Sequence, residues 1–172
     1  PERVGPTAHL GCPALALGSS APLAMRLLSV PVLGAILTRV ERPSPAQVER
    51  ISRLVNQHPL SPEIAGAILA TELMPGFQRT FHWNLNALLR LRGANPRYAL
   101  TATQLRQVTQ RSLLVFSRND PMGAGFLGRR MAEALPGSEL HLCDGGHCPW
   151  LDEPERIAGW IGEFFDRGMA GS

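Results

Sequence analysis

Apolar positions along this chain recur in two different rhythms, and the change between them falls near residue 111. Ahead of it, hydrophobic residues return every three or four positions, the spacing that lines one face of a helix. Val48, Ile51, Leu54 and Val55 share such a face, as do Ile64, Ile68 and Leu73, and then Phe77, Phe81, Leu85, Leu88 and Leu89. The punctuation agrees. Ser44 and Gln47 form a capping box around Pro45, Ser61-Pro62-Glu63 opens a second helix that Pro75 stops, and Thr101 with Gln104 repeats the box. The third helix is expected over Gly76–Leu91, with Gly93 just past its end. Ala21–Val40 is mostly apolar and broken at Pro31, and before it Ala8–Leu10 predicts one short strand. Residues 21–110 are thus expected to be almost entirely helical.

Beyond residue 111 the rhythm is that of a sheet. Ser112–Ser117 is a continuous apolar run between polar residues, the texture of a strand buried on both faces, as in a parallel sheet. A helix is expected at about Phe126–Leu135, a second strand at Glu139–Cys143, and a last helix at Glu153–Arg167. That helix carries a stripe of Ile157, Trp160, Ile161, Phe164 and Phe165, and Asp152, Pro154 and Glu155 read as its start. Strand–helix–strand–helix is the order of a parallel α/β unit.

Composition narrows the classes. With 44% hydrophobic and 18% charged residues among 172, the chain has the material for a core and is not a disordered polar tail. No apolar run approaches the roughly 18 residues of a membrane span. The net charge of +3 invites a nucleic-acid reading, but all 17 basic residues are arginines, scattered from Arg3 to Arg167. A phosphate-binding surface shows a clustered basic stripe with interleaved aromatics, so neither nucleic acid nor membrane is the expected partner. Three cysteines, Cys12, Cys143 and Cys148, are an odd set and argue against a disulfide framework. No secretory leader is visible, and a reducing, cytoplasmic location is the expectation.

Two residues sit where parallel sheets present chemistry, just past the carboxyl ends of strands. Asp120 follows the strand Ser112–Ser117, and His147 follows the strand Glu139–Cys143. Each alone has an ordinary reading: Asn119-Asp120-Pro121 is a turn sequence or a helix cap, and His147 a loop histidine. Their placement across one strand–helix–strand unit joins them, because neighbouring parallel strands lie about 4.8 Å apart. A carboxylate that orients an imidazole is two thirds of a nucleophilic triad.

A rival chemistry lies in the same stretch. His141, Cys143, His147 and Cys148 offer four soft ligands for zinc, although the adjacent His147 and Cys148 would chelate poorly. The cysteines otherwise read as buried small hydrophobes, Cys148 as one that lines a pocket. Trp150, Met122 and Phe126 either pack or line the pocket; Phe77, Phe81, His82 and Trp83 are first of all helical core. His58 and His82 read as surface or packing residues.

The stretch Gly146-His147-Cys148-Pro149-Trp150-Leu151-Asp152-Glu153-Pro154-Glu155 resembles a signature of the α/β-hydrolase fold family, in its lipase/esterase, epoxide-hydrolase and C–C-hydrolase branch. The resemblance implies an α/β fold class: the C-terminal part of an α/β-hydrolase fold, a short parallel sheet flanked by helices, with a helical cap insertion. Residues 1–20 would be the sixth-strand region and its connection, 21–110 the cap, and 111–172 the last strand–helix–strand–helix of the core. Asp120 would be the triad acid and His147 the triad base, while Met122, Cys148, Trp150 and Phe81 would meet substrate.

The implied activity is serine-type hydrolysis of a carboxylic ester or a related C–C bond on a small apolar substrate, with no metal or organic cofactor. The family's nucleophile elbow, Gly-x-Ser-x-Gly, does not occur in these 172 residues, and the nucleophile is expected upstream. The alternatives are a non-catalytic hydrolase-like protein and, more weakly, a zinc-binding module. A sheet cut at that point would expose an edge, through which a homodimer could form.

Overall fold

The computed structural model describes residues 4–11, 18–40, 42–123 and 125–169. Its elements follow in the order β1 (Thr7–Leu10), α1 (Leu23–Leu28), α2 (Pro31–Val40), α3 (Pro45–Val55), α4 (Pro62–Glu72), α5 (Phe77–Leu88), β2 (Leu89–Arg90) and β3 (Gly93–Ala94). There follow α6 (Ala102–Leu105), β4 (Ser112–Ser117), α7 (Gly125–Ala134), β5 (Ser138–Cys143), α8 (Pro149–Asp152) and α9 (Pro154–Met169). Cys12, read from the sequence as a buried hydrophobe, lies outside the described residues. Among the described residues, no helix is long and apolar enough to cross a membrane.

The strand β4 is the keystone. All six of its residues are buried, as its unbroken apolar run predicts. It pairs in parallel with β1 on one side (Thr7 opposite Ser112) and with β5 on the other (Ser112 opposite Ser138). Because side chains alternate across a strand, β4 feeds two separate cores. Leu114 and Phe116 pack with Leu127, Met131 and Leu135 on the α7 side, whereas Leu113 and Val115 pack with Ile157 and Phe164 of α9. The α9 stripe is accordingly real at Ile157 and Phe164, while Phe165 at its margin is exposed.

The helices α1–α5 form the predicted helical layer. Ser44 accepts from the Gln47 amide while the Gln47 side chain accepts from the Ser44 amide, so the capping box at the start of α3 is fully made. Three details differ from the sequence reading. The third helix ends at Leu88, and Leu89–Arg90 turns into a two-residue strand against Gly93–Ala94. Gly93 therefore does not cap a helix; it packs on the carbonyl of Ser19, where a side chain has no room. Leu54 and Leu73 are exposed rather than inward, since a thin layer of helices buries a narrower face than a stripe count assumes. Third, Asp152 is the last residue of α8, and its carboxylate accepts from the amides of Gly146, Gln57 and His58 rather than from the first turn of α9.

Candidate active site

Two loops leaving the same end of the sheet are stitched together before any reactive group is placed. Past β4, the Arg118 amide donates to the Cys143 carbonyl at 3.0 Å, and Asn119 Nδ2 donates to the Asp144 carbonyl at 3.2 Å. Arg118 also reaches the Asp144 carboxylate at 3.1 Å, an exposed pair that contributes little by itself. Below them, Ser117 Oγ lies 3.3 Å from Cys143 Sγ. This stitching holds the loops that carry Asp120 and His147 side by side.

His147 Nδ1 lies 3.1 Å from Asp120 Oδ2 and 3.2 Å from Oδ1. A carboxylate only accepts, so Nδ1–H donates and the second ring nitrogen, Nε2, keeps its lone pair. The Asp120 side chain has no solvent exposure, and Oδ1 also accepts from the Met122 amide at 2.7 Å. The His147 side chain is one-quarter exposed, which leaves its outer edge open to a reactant. Such a pair can take a proton at Nε2 and hold the resulting imidazolium against Asp120.

Glycine makes the loop possible in two places. Gly11, at the end of β1, has a positive φ of 77°, and a Cβ there would lie 2.7 Å from the His147 carbonyl oxygen. Gly146 packs on the backbone of Val55 and Asn56, where a Cβ would collide with both. The His147 amide donates to the Val55 carbonyl at 2.6 Å, so the histidine loop rests directly on the end of α3.

Between the sheet end and the helical layer lies a cavity of about 470 Å³. His147 and Met122 reach it from below, and Met25, Leu28, Ile51, Phe77 and Phe81 give it an apolar wall. Met122 and Phe81, two of the residues proposed from sequence to meet substrate, are thus brought together with His147. Cys148 and Trp150, also expected to meet substrate, are not among the residues that line this cavity. Trp150 is 39% exposed and turns toward Gly11. Burial, followed by the charges of Asp152 and Asp120, pushes the Cys148 thiol above its ordinary pKa, so it is a poor nucleophile at neutral pH. Phe126 is exposed as well.

The cavity also holds polar residues that periodicity did not single out: Gln47, Glu72, Gln78 and His82. His82, read as a surface or packing residue, lines the cavity, and its Nε2 is buried with no hydrogen-bond partner. Glu72 Oε2 is likewise buried without one. Burial raises the Glu72 pKa, and a hydrogen bond from Gln47 offsets part of that rise. A carboxyl whose folded pKa is raised is penalised once it ionises. The penalty is absent below its unfolded pKa and present above the folded one. Glu72→Gln is therefore expected to raise the melting temperature at pH 7 relative to the parent chain and to lose that advantage at pH 4, read by thermal melts at both values.

The four candidate zinc ligands do not converge. His141 packs at a tilt against Trp160 with ring centroids 4.6 Å apart, Cys143 is buried beneath Ser117, and His147 faces Asp120. Among the described residues no three His, Cys, Asp or Glu side chains are grouped to hold a metal.

No family model and no curated protein matches the chain. Solved structures do. A meta-cleavage product hydrolase from Pseudomonas fluorescens IP01 superposes with a TM-score of 0.68 at 17% identity, over 97% of this chain and 57% of that one. The 2-hydroxy-6-oxo-6-phenylhexa-2,4-dienoate hydrolase from Rhodococcus sp. strain RHA1 gives 0.71 at 16% identity, over 96% and 57%. A carboxylesterase from Bacillus subtilis gives 0.58 at 19%, over 96% and 52%. The chain thus spans a little over half the length of the structures it matches.

Proposed function

We propose that this chain, which has the α/β-hydrolase fold over β1, β4, β5 and their helices, is the acid–base half of a serine-type hydrolase. The observation that carries the reading is the buried Asp120 holding Nδ1 of a partly exposed His147 at the mouth of an apolar cavity. In this reading His147 Nε2 takes the proton of an attacking serine hydroxyl and then delivers it to the leaving group. Asp120 fixes the tautomer and stabilises the imidazolium. Helices α1–α5 act as the cap, and their apolar wall favours a small, largely apolar ester or a substrate with a related C–C bond.

The serine is not among these residues in an elbow, and among the described residues no hydroxyl is bonded to His147. That observation favours a second reading, a non-catalytic protein that keeps the fold. One experiment separates them. The coding sequence ahead of Pro1 is read, and the extended protein is assayed on p-nitrophenyl butyrate beside the 172-residue chain. A Gly-x-Ser-x-Gly elbow with turnover in the extended protein alone is the expected result. Absence of an elbow, or an extended protein without turnover, would leave the non-catalytic reading standing.

A further inference from the structure

We propose that Asp152 is a positioning residue, which fastens the histidine loop to the turn after α3 and thereby holds His147 on Asp120. Its carboxylate receives three backbone amides from two distant parts of the chain. Oδ2 accepts from Gly146 at 2.6 Å and from Gln57 at 3.3 Å, and Oδ1 accepts from His58 at 2.9 Å. Gly146 immediately precedes His147, whereas Gln57 and His58 lead out of α3. The neighbouring amide, that of His147 itself, donates to the Val55 carbonyl at 2.6 Å. Both amides that set the direction of the imidazole are therefore committed to the same turn, one through Asp152 and one directly.

Packing leaves the loop little alternative. A Cβ on Gly145 would lie 2.9 Å from Asp152 Oδ2, and one on Gly146 would lie 2.7 Å from Asn56 Cα. The two glycines let the loop come close enough for these short bonds. Charge-assisted hydrogen bonds to backbone amides are among the strong ones, and three on one carboxylate fix its rotamer. All three partners of the carboxylate lie in the two loops, Gly146 in one and Gln57 and His58 in the other. The acid–base pair Asp120–His147 is thus held by a second carboxylate, which is not among the residues that line the cavity.

The test needs no turnover, so it can fail independently of the proposed hydrolysis. Amide exchange is followed by NMR in the 172-residue chain together with the downfield signal of the His147 Nδ1 proton, in the parent and in Asp152→Ala and Asp152→Glu. In Asp152→Ala, exchange at Gln57, His58, Gly146 and His147 is expected to quicken about tenfold or more while β4 and β5 amides are unchanged. The Nδ1 proton signal is expected to vanish with it, and Asp152→Glu, which keeps the carboxylate, to restore both in part. Unchanged exchange would overturn the proposal. So would faster exchange with the Nδ1 signal intact, because Asp152 would then tie two loops without positioning the imidazole. If Asp152→Ala does not fold, Asp152→Asn, equal in size with one acceptor replaced, is read by the same two signals and the same outcomes.

Discussion

In the extended protein, His147→Ala is expected to lower turnover of p-nitrophenyl butyrate by about 10⁶-fold, and Asp120→Asn by about 10⁴-fold. The two losses differ because the two residues do different work. Alanine at 147 removes the imidazole that Asp120 holds at the cavity, the group assigned to take the proton. Asparagine at 120 keeps the volume and one oxygen, and the geometry says which way it will turn. The Met122 amide, 2.7 Å from Oδ1, claims the oxygen, which leaves the NH₂ facing Nδ1 of His147. Two donors cannot share that contact, so the ring shifts its hydrogen to Nε2, where the lone pair was needed. Steady-state kinetics on the two variants checks this, and wild-type turnover in His147→Ala would refute the assignment.

The largest effect on stability is expected at Phe116. Its side chain is wholly buried, and the backbone of α7 passes so close at Gly128 that a Cβ there would lie 2.8 Å from the ring. A helix set that closely on one side and a parallel strand on each flank cannot collapse into the space a ring leaves. Phe116→Ala is therefore expected to cost about 3–5 kcal/mol, toward the upper end of that range. Urea denaturation gives the number as a lower midpoint at an unchanged slope. A loss under about 1 kcal/mol would mean that the core around Phe116, Leu127 and Met131 is far looser than the structure shows.

Much of this was legible beforehand where local signals were strong. The unbroken apolar run Ser112–Ser117 announced a doubly buried strand, and it is one. The box at Ser44 and Gln47 announced a helix start, because both halves of its hydrogen bonding lie within four residues. Asp120 and His147 were found because a strand–helix–strand unit returns its second loop beside its first. Errors came where a residue's role depends on something distant in sequence. Asp152 looked like a helix cap by spacing alone, but its partners Gln57 and His58 lie 95 and 94 residues away. His82 looked like packing on a helix, and the cavity it lines exists only because that helix faces the sheet end. Trp150 looked like a neighbour of the site because it follows His147 closely, yet the short helix α8 swings it outward.

By itself, the sequence determined the order of the longer helices and of the three parallel strands, the buried central strand and the meeting of Asp120 with His147, since periodicity, caps and strand ends are written within a few residues of one another. The tertiary structure alone decided which helical face meets the sheet, which polar groups line the cavity, and which carboxylate secures the histidine loop. Those depend on contacts between segments far apart in the chain. A one-dimensional pattern fixes which residues are apolar or polar, but not which of the many possible partners each will meet.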